Sequence, residues 1–195
     1  MDNFTESFLS QSVQTIQAID PDKIEKLVDD LVNLRERKGR LFICGMGGSA
    51  ANASHAVNDF RKLAGIEAYS PTDSVSEISA RANDEGLDTI FSGYLKTSNL
   101  KSIDALLILS VGGGSEIPPV STSLISAMKY AKELNAQIYG IVGRDGGFAN
   151  QAGHNVLVVP DLYPTHVTPI CESLTALIWH LIVSHPKLKQ NSTKW

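Results

Sequence analysis

The chain has 195 residues, a formal net charge of -4, 43% hydrophobic and 19% charged residues, a balance that fits one soluble globular domain. No basic stripe offers a nucleic-acid surface, the stretch Met1-Asp2-Asn3-Phe4-Thr5-Glu6 lacks the basic and apolar regions of a secretory signal, and no apolar run approaches the length of a membrane span. Two cysteines, Cys44 and Cys171, make neither a disulfide framework nor a zinc ribbon, so the expectation is a cytoplasmic protein with both thiols buried as small hydrophobes.

In chain order, residues 3–37 read as helical with a break at Asp20-Pro21. Phe8, Val13, Ile16 and Ile19 form one apolar stripe, and Ile24, Leu27, Val28, Leu31 and Leu34 another. Asp20 suits an N-cap with Pro21 at the first helical position. Two helices ahead of the first strand cannot both bury on a small sheet, so residues 1–38 are expected to extend the domain as helices in an oligomer interface. From residue 40, strand-like runs at 41–44, 66–69, 105–110, 137–142 and 156–159 alternate with helical patterns at 50–64, 74–83, 87–98, 117–134 and 166–184. Nearly continuous apolar strands separated by helices predict an α/β fold, a three-layer αβα sandwich around a five-stranded parallel sheet. No repeat or linker divides the chain, which reads as a single domain over 1–195.

Three strands end in small-residue turns: Gly45-Met46-Gly47-Gly48-Ser49, Ser110-Val111-Gly112-Gly113-Gly114-Ser115 and Gly143-Arg144-Asp145-Gly146-Gly147. Ligands of such sheets bind beyond the carboxyl ends of the strands. The first turn is not Gly-x-Gly-x-x-Gly, no acidic residue ends the second strand, and no Gly-Lys-Ser/Thr follows; no nucleotide cofactor is expected. What remains is a strand-to-helix turn with unhindered N–H groups and the Ser49 hydroxyl, suited to a phosphate. The second turn offers N–H groups at Gly112, Gly113 and Gly114 and two serine hydroxyls, Ser110 and Ser115. The helix after the first turn carries His55 and Asp59 one turn apart, an acid/base or metal-ligand pair. Glu172 and His180 lie eight residues apart on the last helix, which leaves them about 80° apart and two turns distant. His154 and His166 have weaker claims, and His185 beside Pro186 reads as solvated.

These residues carry a resemblance to the sugar isomerase (SIS) domain family, and within it to the phosphoheptose isomerases. It covers nearly the whole chain and rests on Gly45-Met46-Gly47-Gly48-Ser49-Ala50, the His55 helix, Asn83-Asp84, Phe91-Ser92, Gly143-Arg144-Asp145-Gly146-Gly147 and the His180 helix. The resemblance implies a flavodoxin-like SIS fold, a homotetramer with active sites between subunits, and conversion of sedoheptulose 7-phosphate to a heptose 7-phosphate for surface polysaccharide (lipopolysaccharide or capsule). It implies Asp59 and His180 as the acid/base pair, and Zn2+ held by His55, Asp59, Glu172 and His180. The substrate set it implies is Gly47, Gly48, Ser49, Asn52, Asp84, Ser110, Gly112, Gly113, Gly114, Ser115 and Glu172. The expected partner is a phosphorylated sugar, with no nucleic acid and no membrane.

Three departures from the family pattern bear on this reading. Asp59 stands where the family has glutamate, one methylene longer. Glu172 replaces a glutamine, which makes a metal more plausible. The family's Ser-Thr-Ser-Gly-Asn-Ser loop is Ser-Val-Gly-Gly-Gly-Ser here, so phosphate would be held more by backbone, or the sugar would differ. Some members of the family are non-catalytic binding or adaptor proteins; retained His55 and His180 argue for the enzyme, and the altered Asp59 and loop argue for the adaptor.

Overall fold

The computed structural model describes residues 3–193; the outermost two residues at each end of the predicted 1–195 domain lie outside the described residues. Five parallel strands, β1 (Leu41–Gly45), β2 (Ala68–Tyr69), β3 (Ala105–Ser110), β4 (Gln137–Val142) and β5 (Asn155–Val158), form one sheet in the order β2-β1-β3-β4-β5. Every residue of β1 and β3 is buried, as the continuous apolar runs require of strands covered on both faces. Chain order reverses between β1 and β3, and the crevice outside their carboxyl ends is where such sheets hold ligands.

Helices α1 (Phe4–Gln17), α2 (Pro21–Glu36), α3 (Gly48–Lys62) and α8 (Val167–Ser184) cluster with one face of the sheet, while α5 (Ile90–Thr97) and α6 (Thr122–Glu133) pack on the other. Helix α4 (Val75–Asp84) and the short α7 (Gly147–Ala152) complete the set. Asp20 caps α2 by accepting from the Asp22 N–H at 2.9 Å, with Pro21 in the first turn. The two leading helices part company as their stripes predict. Ile24, Leu27, Val28, Leu31 and Leu34 of α2 are buried, whereas α1 leaves Phe4, Leu9, Val13 and Ile16 exposed.

Five details differ from the sequence reading. The predicted strand 66–69 shortens to Ala68–Tyr69, because the Ile66 N–H is spent on the Phe60 carbonyl at the end of α3. The helix expected from 117 starts at Thr122: Pro118 and Pro119 lack N–H groups, and a two-way backbone bridge between Ser115 and Val120 closes a loop ahead of it. The stretch 87–98 divides into a 3-10 turn, Leu87–Thr89, and α5. Helix α7 was not foreseen. Finally, α8 has the length and mean hydropathy (18 residues, 1.4) of a membrane span, contrary to the expectation that no run approaches one. Its Ile170, Leu174, Ile178 and Ile182 are buried in the core.

Candidate active site

A cavity of about 860 Å³ opens beyond the carboxyl ends of β1, β3 and β4, bounded by all three small-residue turns and by Thr168 and Glu172 of α8. Its size suits a small organic ligand. In the first turn Gly47 adopts φ +59°, and a Cβ there would meet nothing within 4 Å, so this glycine serves backbone conformation alone. Gly48 has a different reason. A Cβ would stand 2.5 Å from a Glu172 carboxylate oxygen, so the missing side chain lets α8 bring that carboxylate onto the first turn of α3. Ser49 is buried and lines the cavity.

The second turn is built otherwise. Gly113 and Gly147 both hold positive φ, and a Cβ would stand 1.9 Å from the Gly146 carbonyl oxygen in the first case and 2.3 Å from that of Gly112 in the second. The Phe148 and Ala149 N–H groups donate to the Gly114 and Gly113 carbonyls at 2.8 and 3.0 Å. The turn after β3 is thus docked backbone to backbone on the turn after β4. Its hydroxyls are engaged as well: Ser110 Oγ accepts from the Gly113 N–H at 3.1 Å, and Ser115 Oγ donates to the Ile117 carbonyl at 3.1 Å. Gly113 is consequently a packing residue that does not line the cavity, while Ser110, Gly112, Gly114 and Ser115 do.

From the cavity a polar seam runs between α3 and α8, which lie side by side in the same direction. Asn52 donates to the Glu172 carbonyl at 3.1 Å and accepts from the Trp179 indole at 3.4 Å. One turn further, His55 packs edge-on against Trp179 and His180, with ring centroids 4.7 and 5.2 Å away. At the end of the seam the Oδ2 of buried Asp59 lies 3.9 Å from His55 Nε2 and 3.8 Å from His180 Nε2. Asn58 donates to the other oxygen at 2.8 Å. His180 Nδ1 is 2.8 Å from the Ala176 carbonyl. A carbonyl can only accept, so that nitrogen carries a proton, and Nε2 is the nitrogen turned toward Asp59.

His55, Asp59 and His180 therefore converge, each offering one donor atom with all three within 4.8 Å of one another. Two imidazoles and a carboxylate match the ligand types of a catalytic metal with an open position. Tetrahedral bonds of about 2.1 Å put ligands about 3.4 Å apart, so the side chains need only a small inward shift. Glu172 is not in this group. Two turns separate it from His180, and its carboxylate is directed to Gly48 and the cavity. Asp84 lies on the exposed end of α4, held by the Asn83 amide at 2.7 Å, and does not line the cavity. His154 accepts from the Ile138 N–H and His166 contacts Gln11, both away from the site, and His185, expected to be solvated, is half-buried and pairs with Glu25 at 3.1 Å. Burial pushes the thiols of Cys44 and Cys171 up to about 12 and about 11, which leaves them protonated and inert. Sequence reasoning missed Asn58, Trp179 and Arg144. The first two announce themselves only by position, flanking Asp59 and His180; Arg144 was visible inside a turn already marked as unusual.

The SIS domain family model matches residues 5–143, and the chain belongs to that family. It is 27% identical over 179 residues to a protein named phosphoheptose isomerase from Helicobacter pylori strain Shi470, covering 89% of this chain and 85% of that one. It is 33% identical over 146 residues to phosphoheptose isomerase 1 of Campylobacter jejuni, covering 71% and 73%. The structure of a phosphoheptose isomerase from Neisseria gonorrhoeae shares the fold, with a TM-score of 0.78 at 23% identity, covering 92% of this chain and 94% of that one.

Proposed function

We propose that this SIS-domain chain is an aldose–ketose isomerase that converts sedoheptulose 7-phosphate to D-glycero-D-manno-heptose 7-phosphate, a precursor for surface polysaccharide. The observation that carries the proposal is Asp59 Oδ2 set between His55 and His180 at 3.9 and 3.8 Å, on a seam leading from a phosphate-sized turn. Relatives named phosphoheptose isomerase support the same substrate. Along α3, Ser49 and His55 are about 9 Å apart by helical rise. That spacing fits a sugar with its phosphate at one end and its carbonyl at the other.

Isomerisation needs a base that removes a proton from C1 of the ketose and an acid that returns it at C2, through an enediol. Asp59 and His180 divide that work in this reading. Asn58 fixes the Asp59 carboxylate, and the Ala176 carbonyl holds the His180 Nδ1 proton, so in the neutral ring Nε2 carries the lone pair. Zn2+ held by His55, Asp59 and His180 would supply Lewis-acid stabilisation to the oxygens at C1 and C2, in place of proton transfer by His180, whose Nε2 lone pair it would occupy. Glu172, Asn52 and Ser49 line the path along which the sugar chain lies, with Ser49, Gly112, Gly114 and the loop N–H groups toward the phosphate. Asp84 reaches a site only from a neighbouring subunit in this reading. The exposed apolar stripe of α1, with Leu177 and Leu181 beside His180 on α8, supports a homotetramer with sites between subunits. A sugar-phosphate substrate implies a cytoplasmic enzyme.

Incubation of purified protein with sedoheptulose 7-phosphate, followed by NMR with and without zinc, tests the proposal. Appearance of the aldose phosphate, lost in His180→Gln, is the expected result. A folded protein that neither turns over this sugar nor binds zinc would be a non-catalytic sugar-phosphate-binding member of the family.

A further inference from the structure

Resting on the phosphosugar reading, we infer that Arg144 is the phosphate-binding residue of this chain. It supplies a positive charge that the turn after β3 does not have. The turn after β3 has two serines: Ser115 spends its proton on the Ile117 carbonyl, while Ser110 Oγ accepts from the Gly113 N–H and keeps its own proton to donate. Its Gly113 and Gly114 carbonyls are committed to the start of α7. The remaining N–H groups and the Ser110 hydroxyl bring donors but no counter-charge for a doubly charged phosphate.

Among the described residues lining the cavity, Arg144 is the single lysine or arginine. Its three acidic neighbours on the wall have local roles. Glu116 pairs with Lys129 at 2.6 Å, the Asp145 carboxylate accepts from the Gly147 N–H at 3.1 Å, and Glu172 lies against Gly48. Arg144 is exposed and forms no ion pair or hydrogen bond within the described structure. Its backbone has φ +54°, a conformation that an arginine seldom adopts. The turn holds it there: Gly143 donates to the Ser110 and Val111 carbonyls at 3.2 and 3.1 Å, and Gly146 donates to the Gly143 carbonyl at 3.0 Å. The side chain then passes over Gly112, its Cδ 3.9 Å from where a Cβ would stand. The side chain lines the cavity with its fork of donors unused, and such a fork is suited to bidentate capture of a phosphate.

Calorimetric titration of inorganic phosphate into wild type, Arg144→Ala and Arg144→Lys tests this, alongside steady-state kinetics with sedoheptulose 7-phosphate. The expected result is at least about tenfold weaker phosphate binding in Arg144→Ala, with partial recovery in Arg144→Lys. KM should rise in parallel, with kcat within about threefold and zinc binding unchanged. Phosphate affinity in Arg144→Ala within twofold of wild type, or no phosphate binding by wild type, would overturn the inference. A wild-type protein that binds phosphate through Arg144 but does not isomerise the sugar would remove the isomerase reading and leave this one standing.

Discussion

Two aspartates are buried, one on α3 and one just before β3, and their surroundings differ in kind. Asp104 precedes β3 at the amino end. It accepts four hydrogen bonds, from the Arg40 backbone N–H, Arg40 Nε, Arg40 Nη2 and the Lys101 N–H, at 2.9, 3.3, 2.7 and 2.9 Å. Asp59, in the last turn of α3, is as buried, 2% exposed against 1%, yet accepts one hydrogen bond, from Asn58. Its Oδ2 has two imidazole nitrogens nearby, both beyond hydrogen-bond reach. A carboxylate whose lone pairs are all met is a structural element. One left short of protein donors, with two imidazoles beside it, is what an acid/base or metal-ligand role calls for.

The comparison breaks if both residues behave alike when changed. Asp59→Asn should lower kcat/KM by about 10³-fold or more, since it removes both an acid/base group and an anionic ligand, and should abolish zinc binding by calorimetry. Its thermal midpoint should hold or rise, because an under-paired buried charge has been removed. Asp104→Ala should do the reverse. Leaving the Arg40 guanidinium partly buried without its partner costs about 3 kcal/mol, read as a fall of about 6–12 °C in the thermal midpoint, with kcat per folded molecule unchanged.

A smaller effect sharpens the contrast. Asn58→Ala leaves Asp59 in place but unheld, and should cost about tenfold in zinc affinity and in kcat with stability nearly constant. The smallest is a pH effect. Burial alone would raise the Asp104 carboxyl, but the Arg40 side chain and the Arg40 and Lys101 N–H groups outweigh it and hold the group below the usual carboxylate range. A lowered folded value means the stabilisation is complete above the unfolded value of about 3.9 and is lost as pH falls through the folded one. Urea unfolding between about pH 4 and pH 2 should therefore show a flatter acid limb in Asp104→Asn than in wild type.

The sheet was legible in the sequence because its signal is local: apolar runs of strand length between helical periodicities. So were Asp59 and His55, one turn apart on one helix. Their meeting with His180 rests on a long-range packing of α3 against α8 that no spacing reveals, and it entered only through the family resemblance. The glycines were the least legible. Gly47, which meets nothing, and Gly113, which accommodates a neighbouring backbone, read alike as letters and do opposite work. The family resemblance made Glu172 a ligand beside His180, but their eight-residue spacing is a rise of about 12 Å along α8, and the carboxylate lies against Gly48 instead. Likewise Pro118-Pro119 delayed α6 in a way the helical pattern alone did not show.

The most direct test of the account is solvent exchange. Sedoheptulose 7-phosphate is incubated in deuterated water with wild type, Asp59→Asn and Asp104→Ala, and deuterium at C1 and C2 is followed by NMR. The account predicts that wild type and Asp104→Ala incorporate deuterium while forming the aldose phosphate, and that Asp59→Asn does neither. Incorporation by Asp59→Asn at the wild-type rate, or none by wild-type protein loaded with zinc, would contradict it.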